Sequence, residues 1–162
     1  MKAFNIRQSR IIKWQVLAIS VLLLLGGLQP ADGQEVNKNK VTITSPREGD
    51  QVGKRIVVKG TSEIHDGSQV WVLAHLKLLA NQWWPQPKPI VDENGNWQAL
   101  AYIGEPQDIG LDFEIVAATF DEQAVAEILR YHDYGNKTGQ WLPIRFPRAT
   151  SNIAVVTVKK VE

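Results

Sequence analysis

Three histidines are the side chains of this sequence best suited to proton transfer or metal binding near neutral pH. His65 and His132 each precede an aspartate, and His75 lies within an apolar run. Neighbouring residues on a strand point to opposite faces, so a His-Asp dipeptide is not by itself a catalytic pair. The histidines do not have the spacing of a metal motif such as His-x-His or His-Glu-x-x-His. We therefore expect solvated or partly buried histidines, and we expect no metal or other cofactor.

The other reactive residue types form no catalytic pattern. The sequence has no cysteine, and no serine lies in a Gly-x-Ser-x-Gly turn. Carboxylates occur close together between Glu105 and Glu114. A general acid and a general base must face each other across a substrate, however, and spacing alone does not show this. The sequence thus predicts a protein that is not an enzyme, with an extracytoplasmic hydrolase as the less favoured alternative.

The segment DENGNW, residues 92–97, carries side-chain oxygens at alternate positions, as the start of a calcium loop does. It lacks the glycine at the sixth position and the glutamate at the twelfth that such a loop uses. Asn94-Gly95 is one of the strongest signals for a tight turn between strands. We interpret the segment as a turn.

Tryptophan is the residue that points most directly to a binding surface. The chain has six tryptophans, and two of them stand side by side in NQWWPQPKP, residues 81–89. Burying one tryptophan removes about 150–250 Å² from water. That area is worth about 4–6 kcal/mol as an upper estimate. Most of the tryptophans are therefore expected in the core.

Alternation along QVWVLAHLKLL, residues 69–79, separates the two faces of one strand. Trp71 is expected on the outer face. In the strand after the Asn-Gly turn, Trp97 is expected in the core and Tyr102 on the outside. The expected core face of the first strand is wholly apolar and consists of Val70, Val72, Ala74, Leu76 and Leu78.

The paired tryptophans are expected on opposite sides of an extended segment, since the residue before a proline favours an extended backbone. One of Trp83 and Trp84 can then enter the core, and the other can join Trp71 across a hairpin that bends near residues 79–82. Two interpretations stay open: an exposed aromatic patch that binds a ligand, or an outer tryptophan covered by the helix or a loop. The prolines that follow could instead form a stiff edge that blocks sheet association. The candidate ligand-binding residues are Trp71, Trp83, Trp84, Trp141 and Tyr134.

The elements that must position these residues are mostly strands. Period-two apolar patterns between Gly, Pro and Asn turns predict strands over residues 41–45, 55–60, 69–79, 97–103, 111–120 and 152–161. One helical pattern follows Asp121, which can cap it, and Gly135 is expected to end it. This arrangement predicts an all-β fold, an antiparallel β-sandwich of about seven strands with one short helix near residues 121–131.

The first two strands resemble those that open bacterial immunoglobulin-like or fibronectin-III-like domains. VTITSPREGDQV carries an apolar-x-Ser-Pro turn, and IVVKGTSE closes the second strand with an apolar-x-Gly. The match covers residues 41–62. The resemblance implies an immunoglobulin-like β-sandwich over residues 41–162, of the kind used as non-catalytic modules of exported or surface proteins.

The N-terminus has the composition of an export signal. Basic residues precede an apolar run over residues 14–28, which is shorter than the roughly 20 residues needed to span a bilayer. Small residues at Ala31 and Gly33 predict a signal peptide over residues 1–33, followed by a polar tether over 34–40. An uncleaved membrane anchor is the alternative. In either case we expect the body of the protein outside the cytoplasm, secreted, periplasmic or at the cell surface.

The charge of the body argues against a nucleic-acid partner. The formal net charge of the chain is +1, but the residues after Gly33 carry 14 bases and 16 acids. Such a body is not a polycation. We expect a non-catalytic binding or interaction module whose partner outside the cytoplasm is a protein or a glycan. The alternative is a carbohydrate-binding module that stacks sugar rings on tryptophan, and membrane contact is expected only through an uncleaved N-terminal segment.

Overall fold

The computed structural model describes residues 38–162, in which alternating apolar and polar residues form nine β-strands. One α-helix, α1 (Glu122–Thr138), lies between the last two strands, and a short 3-10 turn spans Pro106–Asp108. The strands are β1 (Lys40–Ser45), β2 (Gln51–Val52), β3 (Arg55–Glu63), β4 (Gln69–Leu76), β5 (Trp84–Pro85), β6 (Ile90–Val91), β7 (Asn96–Tyr102), β8 (Asp112–Phe120) and β9 (Ala154–Lys160).

The strands form two sheets that enclose a common core. The first sheet has the order β1-β3-β7-β6, and the second has the order β2-β9-β8-β4-β5. Neighbouring strands are antiparallel, except that β2 and β9 are parallel. The fold is therefore mostly β with the two sheets of a sandwich, as expected. All six expected strand segments form strands, and β2, β5 and β6 raise the number to nine instead of about seven. These three strands have two residues each, too few to give a periodic pattern.

The core between the sheets consists of the inward-facing residues of both sheets. The expected core face of β4 is confirmed from Val70 to Leu76, but Leu78 is 73% exposed because β4 ends at Leu76. Trp97 is buried in this core, as expected. Its ring lies over Gly60, where any Cβ would overlap the indole and force the neighbouring backbone to move.

Helix α1 is longer than expected and ends at a different glycine. Asp121 caps its first turn as expected, since the side chain accepts a hydrogen bond from the Ala124 N–H at 2.9 Å. Gly135 lies inside the helix, and the left-handed residue that terminates it is Gly139, with φ of 72°. A glycine within a helix costs about 1 kcal/mol, so it weakens a helix without having to end it.

Helix α1 forms a third layer on the outer face of the second sheet. Its Val125 and Ile128 side chains pack against Trp71, Leu73 and Phe120 of that sheet. Leu129, the residue after Ile128, is 51% exposed. The second sheet is thus covered on both faces, by the first sheet and by α1. The first sheet has only its inner face covered by described residues.

The described domain begins before β1, within the segment expected to be a polar tether. Asn39 is 3% exposed, and its side chain donates to the Asp66 carboxylate at 2.7 Å and accepts from the His65 N–H at 2.9 Å. Lys40 is already the first residue of β1. The expected signal peptide or anchor, residues 1–33, lies outside the described residues. Within residues 38–162, no helix is long and apolar enough to cross a membrane.

We predict that the Asp66 carboxylate makes the fold sensitive to acid. Hydrogen bonds from the Asn39 amide and from Ser68 lower the pKa of Asp66 to about 2. A carboxyl group with a lowered folded pKa contributes stability fully above its unfolded pKa of about 4. This contribution is lost as the pH falls toward 2. In urea unfolding, Asp66→Asn should therefore lower the midpoint near neutral pH, and its difference from wild type should shrink progressively below about pH 4.

Glu93→Gln is the matched control, because Glu93 is an exposed acid in the turn between β6 and β7. It should leave the urea midpoint unchanged across the same pH range. A difference between Asp66→Asn and wild type that stays constant with pH would contradict the assignment.

Candidate functional site

The paired tryptophans lie on opposite faces of the second sheet, as expected for an extended segment. In the β4–β5 hairpin, Trp84 is paired with Ala74 and packs against the core between the sheets. Trp83 packs on the other face, where its ring stacks on His75 at 4.4 Å between centroids. Both tryptophans are half-buried. Trp83 therefore belongs to the helix side of the sheet and Trp84 to the sandwich side.

Trp71 occupies the outer face of β4 as expected, but it is not an exposed platform. The residue is 1% exposed because α1 covers that face of the sheet. Its ring stacks on His132 of α1 with 5.9 Å between centroids. The interpretation in which the helix covers the outer tryptophan is therefore the one seen, and the exposed aromatic strip built on Trp71 is wrong.

Trp141 is the candidate tryptophan that the structure leaves most open to solvent. It is 45% exposed and lies just beyond α1. The absence of a side chain at Gly135 lets the indole lie directly against the helix, since a Cβ there would overlap the ring. The ring also contacts Tyr131 and His132, with centroid distances of 5.5 and 6.0 Å. The Trp141 carbonyl accepts a hydrogen bond from the Trp84 indole N–H at 3.0 Å, which ties the two tryptophans together.

An open groove follows the β5 edge of the sandwich, and we call it the β5 groove. It has a volume of about 1010 Å³ and is bounded by the β4–β5 hairpin, the connection from β7 to β8, and the C-terminal half of α1. Trp71, Trp84 and Trp141 line it, whereas Trp83 and Tyr134 do not. The other aromatic rings that line it are Tyr102, Phe113, Tyr131 and His132.

The β5 groove carries charges of both signs. Lys54 and Glu105 face each other at 2.9 Å as an ion pair on its rim. Lys88 and Asp108 also line it, so two bases are matched by two acids. The Asp108 carboxylate accepts the backbone N–H of Glu105 at 2.7 Å. A groove without excess charge is suited to a ligand of low net charge.

Gln86 holds the walls of the β5 groove together, and sequence reasoning missed it. The residue is 3% exposed. Its side-chain oxygen accepts the Tyr102 N–H at 2.7 Å, and its side-chain amide donates to the Trp84 carbonyl at 2.7 Å. Its backbone N–H donates to the Val72 carbonyl at 2.8 Å, and its carbonyl accepts from His132 at 3.1 Å. We call this set of four bonds the Gln86 junction. The one sequence signal for it is a glutamine enclosed by two prolines.

Burial shifts the pKa values of Tyr131 and His132, the two titratable α1 side chains that line the groove. It raises the pKa of Tyr131 to about 12, so the phenol stays neutral. Burial lowers the pKa of His132, although the hydrogen bond to the Gln86 carbonyl partly opposes that effect. A carbonyl oxygen can only accept, so His132 Nε2 carries the proton of that bond. The neutral ring then leaves Nδ1 as an acceptor.

The other two histidines and Asp92 do not form a reactive group in the structure. His75 Nδ1 lies 2.8 Å from the Gln82 carbonyl, and His65 is exposed. Asp92 accepts the backbone N–H groups of Asn94 and Asn96, both at 2.9 Å, so its carboxylate closes the expected turn. Within residues 38–162, no group of three or more His, Cys, Asp and Glu residues is arranged to hold a metal ion.

The chain matches no protein-family model and no curated protein sequence. Interpretation of the β5 groove therefore depends on its own geometry and chemistry.

We predict that Gly135→Ala destabilises the protein, although alanine is the better helix former. Inside a helix this exchange ordinarily adds about 1 kcal/mol of stability. Here the new methyl group would overlap the Trp141 indole, and overpacking of this kind typically costs about 1–3 kcal/mol. The free energy of unfolding should fall by about 1 kcal/mol. Acrylamide should also quench the tryptophan fluorescence of the variant more strongly than that of wild type, because the Trp141 ring is displaced from the helix.

The double variant Gly135→Ala/Trp141→Ala is the control, because it removes the ring that the methyl group meets. It should be at least as stable as Trp141→Ala alone. A Gly135→Ala protein that is more stable than wild type, with unchanged quenching, would show that Trp141 does not lie on the helix at this position.

Proposed function

We propose that this domain is a non-catalytic interaction module that binds a protein partner outside the cytoplasm through the β5 groove. The main support for this proposal is that exposed aromatic rings and exposed aliphatic side chains line the same open groove. Trp141 and Tyr102 are 45% and 44% exposed, and Leu129, on the same groove, is 51% exposed. Aromatic side chains surrounded by aliphatic ones are typical of the centres of protein interfaces.

The arrangement of the rings supports a protein partner over a sugar. A sugar-stacking platform needs a flat row of solvent-facing rings, but Trp71 is 1% exposed and Trp84 is half-buried. Leu142, next to Trp141 in the chain, is 58% exposed and adds aliphatic surface. Covering apolar surface of this kind with a partner's apolar side chains is favourable, because it removes both surfaces from water.

A carbohydrate-binding module is the second candidate, and one observation favours it. The exposed Trp141 indole lies against Gly135, and the bond from the Trp84 indole holds the Trp141 backbone, so the position of the ring is set before binding. Gln107 and Asn136 on the same groove can donate to and accept from sugar hydroxyls. A single oriented ring with amides nearby is compatible with one stacked sugar.

We also propose that the sandwich is of the immunoglobulin-like kind. Its long strands fall into one sheet of β1, β3 and β7 and one of β4, β8 and β9. When β6 is counted with these long strands, the first, second, fourth and fifth strands (β1, β3, β6 and β7) share a sheet opposite the third and the last two, as in immunoglobulin-like sandwiches. Modules of this kind are commonly parts of exported or surface proteins, which agrees with the basic and apolar N-terminus.

The experiment compares two aromatic residues of equal exposure. Trp141 and Tyr134 are both 45% exposed, but Trp141 lines the β5 groove and Tyr134 does not. Wild type, Trp141→Ala and Tyr134→Ala would each be immobilised and exposed to cell-envelope proteins and, separately, to insoluble polysaccharides. Bound material would be quantified by mass spectrometry for protein and by sugar analysis for glycan. We expect one specific protein to bind wild type and Tyr134→Ala, with binding to Trp141→Ala reduced at least tenfold.

Two outcomes would contradict the proposal. Retention on polysaccharide that only Trp141→Ala loses would favour the carbohydrate module. Equal binding of the same protein to wild type and both variants would exclude the β5 groove as the binding surface.

N-terminal sequencing of the exported chain tests the location separately, since a retained Met1 would exclude a cleaved signal.

A further inference from the structure

The outer face of the first sheet is a second exposed surface with the composition of a binding site. Strand register places Val57 of β3 directly opposite Leu100 of β7, and Arg55 opposite Tyr102. The burial of β3 alternates, so that Val57 and Lys59 are exposed while Val58, Gly60 and Ser62 are buried. These outward residues therefore belong to one continuous face, and we call it the β3–β7 face.

The centre of the β3–β7 face is apolar and uncovered within the described chain. Val57 is 48% exposed and Leu100 is 40% exposed. Tyr102 and Ile90, at 44% and 69%, extend the apolar surface along β7 and onto β6. The second sheet has α1 over the corresponding face, whereas no helix in residues 38–162 covers this one. Contiguous exposed apolar surface with polar borders is typical of an interaction site.

The border of this face along β1 and β3 is basic, whereas at the β6 border Asp92 lines a pocket together with Lys59 and Ile90. Lys40, Arg55 and Lys59 point outward from β1 and β3, and Glu63 is the single acid on the same side of these two strands. Glu63 stands opposite Lys40 in the register, which leaves Arg55 and Lys59 beside the apolar centre. Within residues 38–162, neither Arg55 nor Lys59 forms an ion pair. The body of the chain has more acids than bases, so this face departs from the average charge of the domain.

We propose that the β3–β7 face docks an acidic, apolar segment of a partner protein. The apolar centre would contact the partner's aliphatic side chains, and Arg55 and Lys59 would pair with carboxylates at the rim. This division into an apolar centre and a charged border is the usual anatomy of a protein interface. A phosphate polymer would need a continuous basic track instead, and it would leave Val57 and Leu100 without apolar contacts. The face meets the β5 groove at Tyr102, which belongs to both, but Val57, Leu100, Arg55 and Lys59 do not line the groove. A test on these four residues therefore does not depend on the function proposed for the groove.

The test uses a defined acidic probe and maps where it binds. A ten-residue peptide of alternating Leu and Glu would be titrated into the ¹⁵N-labelled full-length protein, with an alternating Leu and Lys peptide as the probe of opposite charge. We expect saturable changes in the amide chemical shifts of β3 and β7 residues with the Leu-Glu peptide and none with the Leu-Lys peptide. Raising the salt concentration should weaken this binding, since exposed charges are screened.

Charge reversal identifies the residues responsible. Arg55→Glu/Lys59→Glu should weaken binding of the Leu-Glu peptide at least tenfold, because like charges then meet at the rim. Arg145→Glu/Arg148→Glu makes the same change in net charge at exposed residues outside this face and should leave the affinity unchanged. Val57→Ser/Leu100→Ser should also weaken binding, which separates an apolar contact from charge attraction alone. Thermal unfolding of each variant checks that the fold is retained.

Several results would overturn the proposal. Shifts that map outside β3 and β7, equal binding of the Leu-Lys peptide, or equal losses in both charge-reversed variants would each do so. Vesicles of phosphatidylglycerol and a 20-base-pair DNA are the competing arms. Tighter binding of either one through Arg55 and Lys59, with no effect of Val57→Ser/Leu100→Ser, would assign the face to a lipid surface or a nucleic acid instead.

Discussion

The Gln86 junction is the interaction on which the geometry of the β5 groove depends. One buried amide side chain joins Tyr102 of the first sheet to Trp84 of the second, and the backbone of the same residue joins β4 to α1 through Val72 and His132. Both polar atoms of the side chain are satisfied, which a buried amide requires, because an unpaired one costs about 1–3 kcal/mol. All three layers of the domain therefore meet at a single glutamine.

The prolines around Gln86 explain why this position can serve as a junction. Pro85 and Pro87 restrict the backbone on both sides and donate no hydrogen bonds. The chain therefore leaves the short strand β5 in an extended form, with Gln86 turned into the protein. Trp83 and Trp84 are fixed on opposite faces just before it, so the sequence WWPQP works as one structural unit. The exposed aromatic surface of the groove comes instead from Trp141 and Tyr102.

The parts of this structure that could be predicted are those decided by local alternation. The core face of β4, the burial of Trp97 and the opposite directions of Trp83 and Trp84 all follow from the period of a strand. A cover over the outer tryptophan was one of two open interpretations, and alternation could not decide between them, because the position of α1 on the sheet is a long-range property. The prediction that Gly135 ends the helix was wrong for the same reason. The glycine makes room for the Trp141 indole, and this contact exists only in the folded chain. Gln86 gave no periodic signal, since a polar residue between prolines is ordinarily a loop residue.

The most direct test of this account is hydrogen exchange at the Tyr102 amide. The Tyr102 side chain is 44% exposed and β7 ends at this residue, so local position alone predicts fast exchange. The Gln86 junction predicts the opposite: an amide protected as well as those in the middle of β4, and protection lost selectively in Gln86→Ala. If the Tyr102 amide exchanges rapidly in the wild-type protein, or stays protected in Gln86→Ala, the glutamine does not hold the layers together.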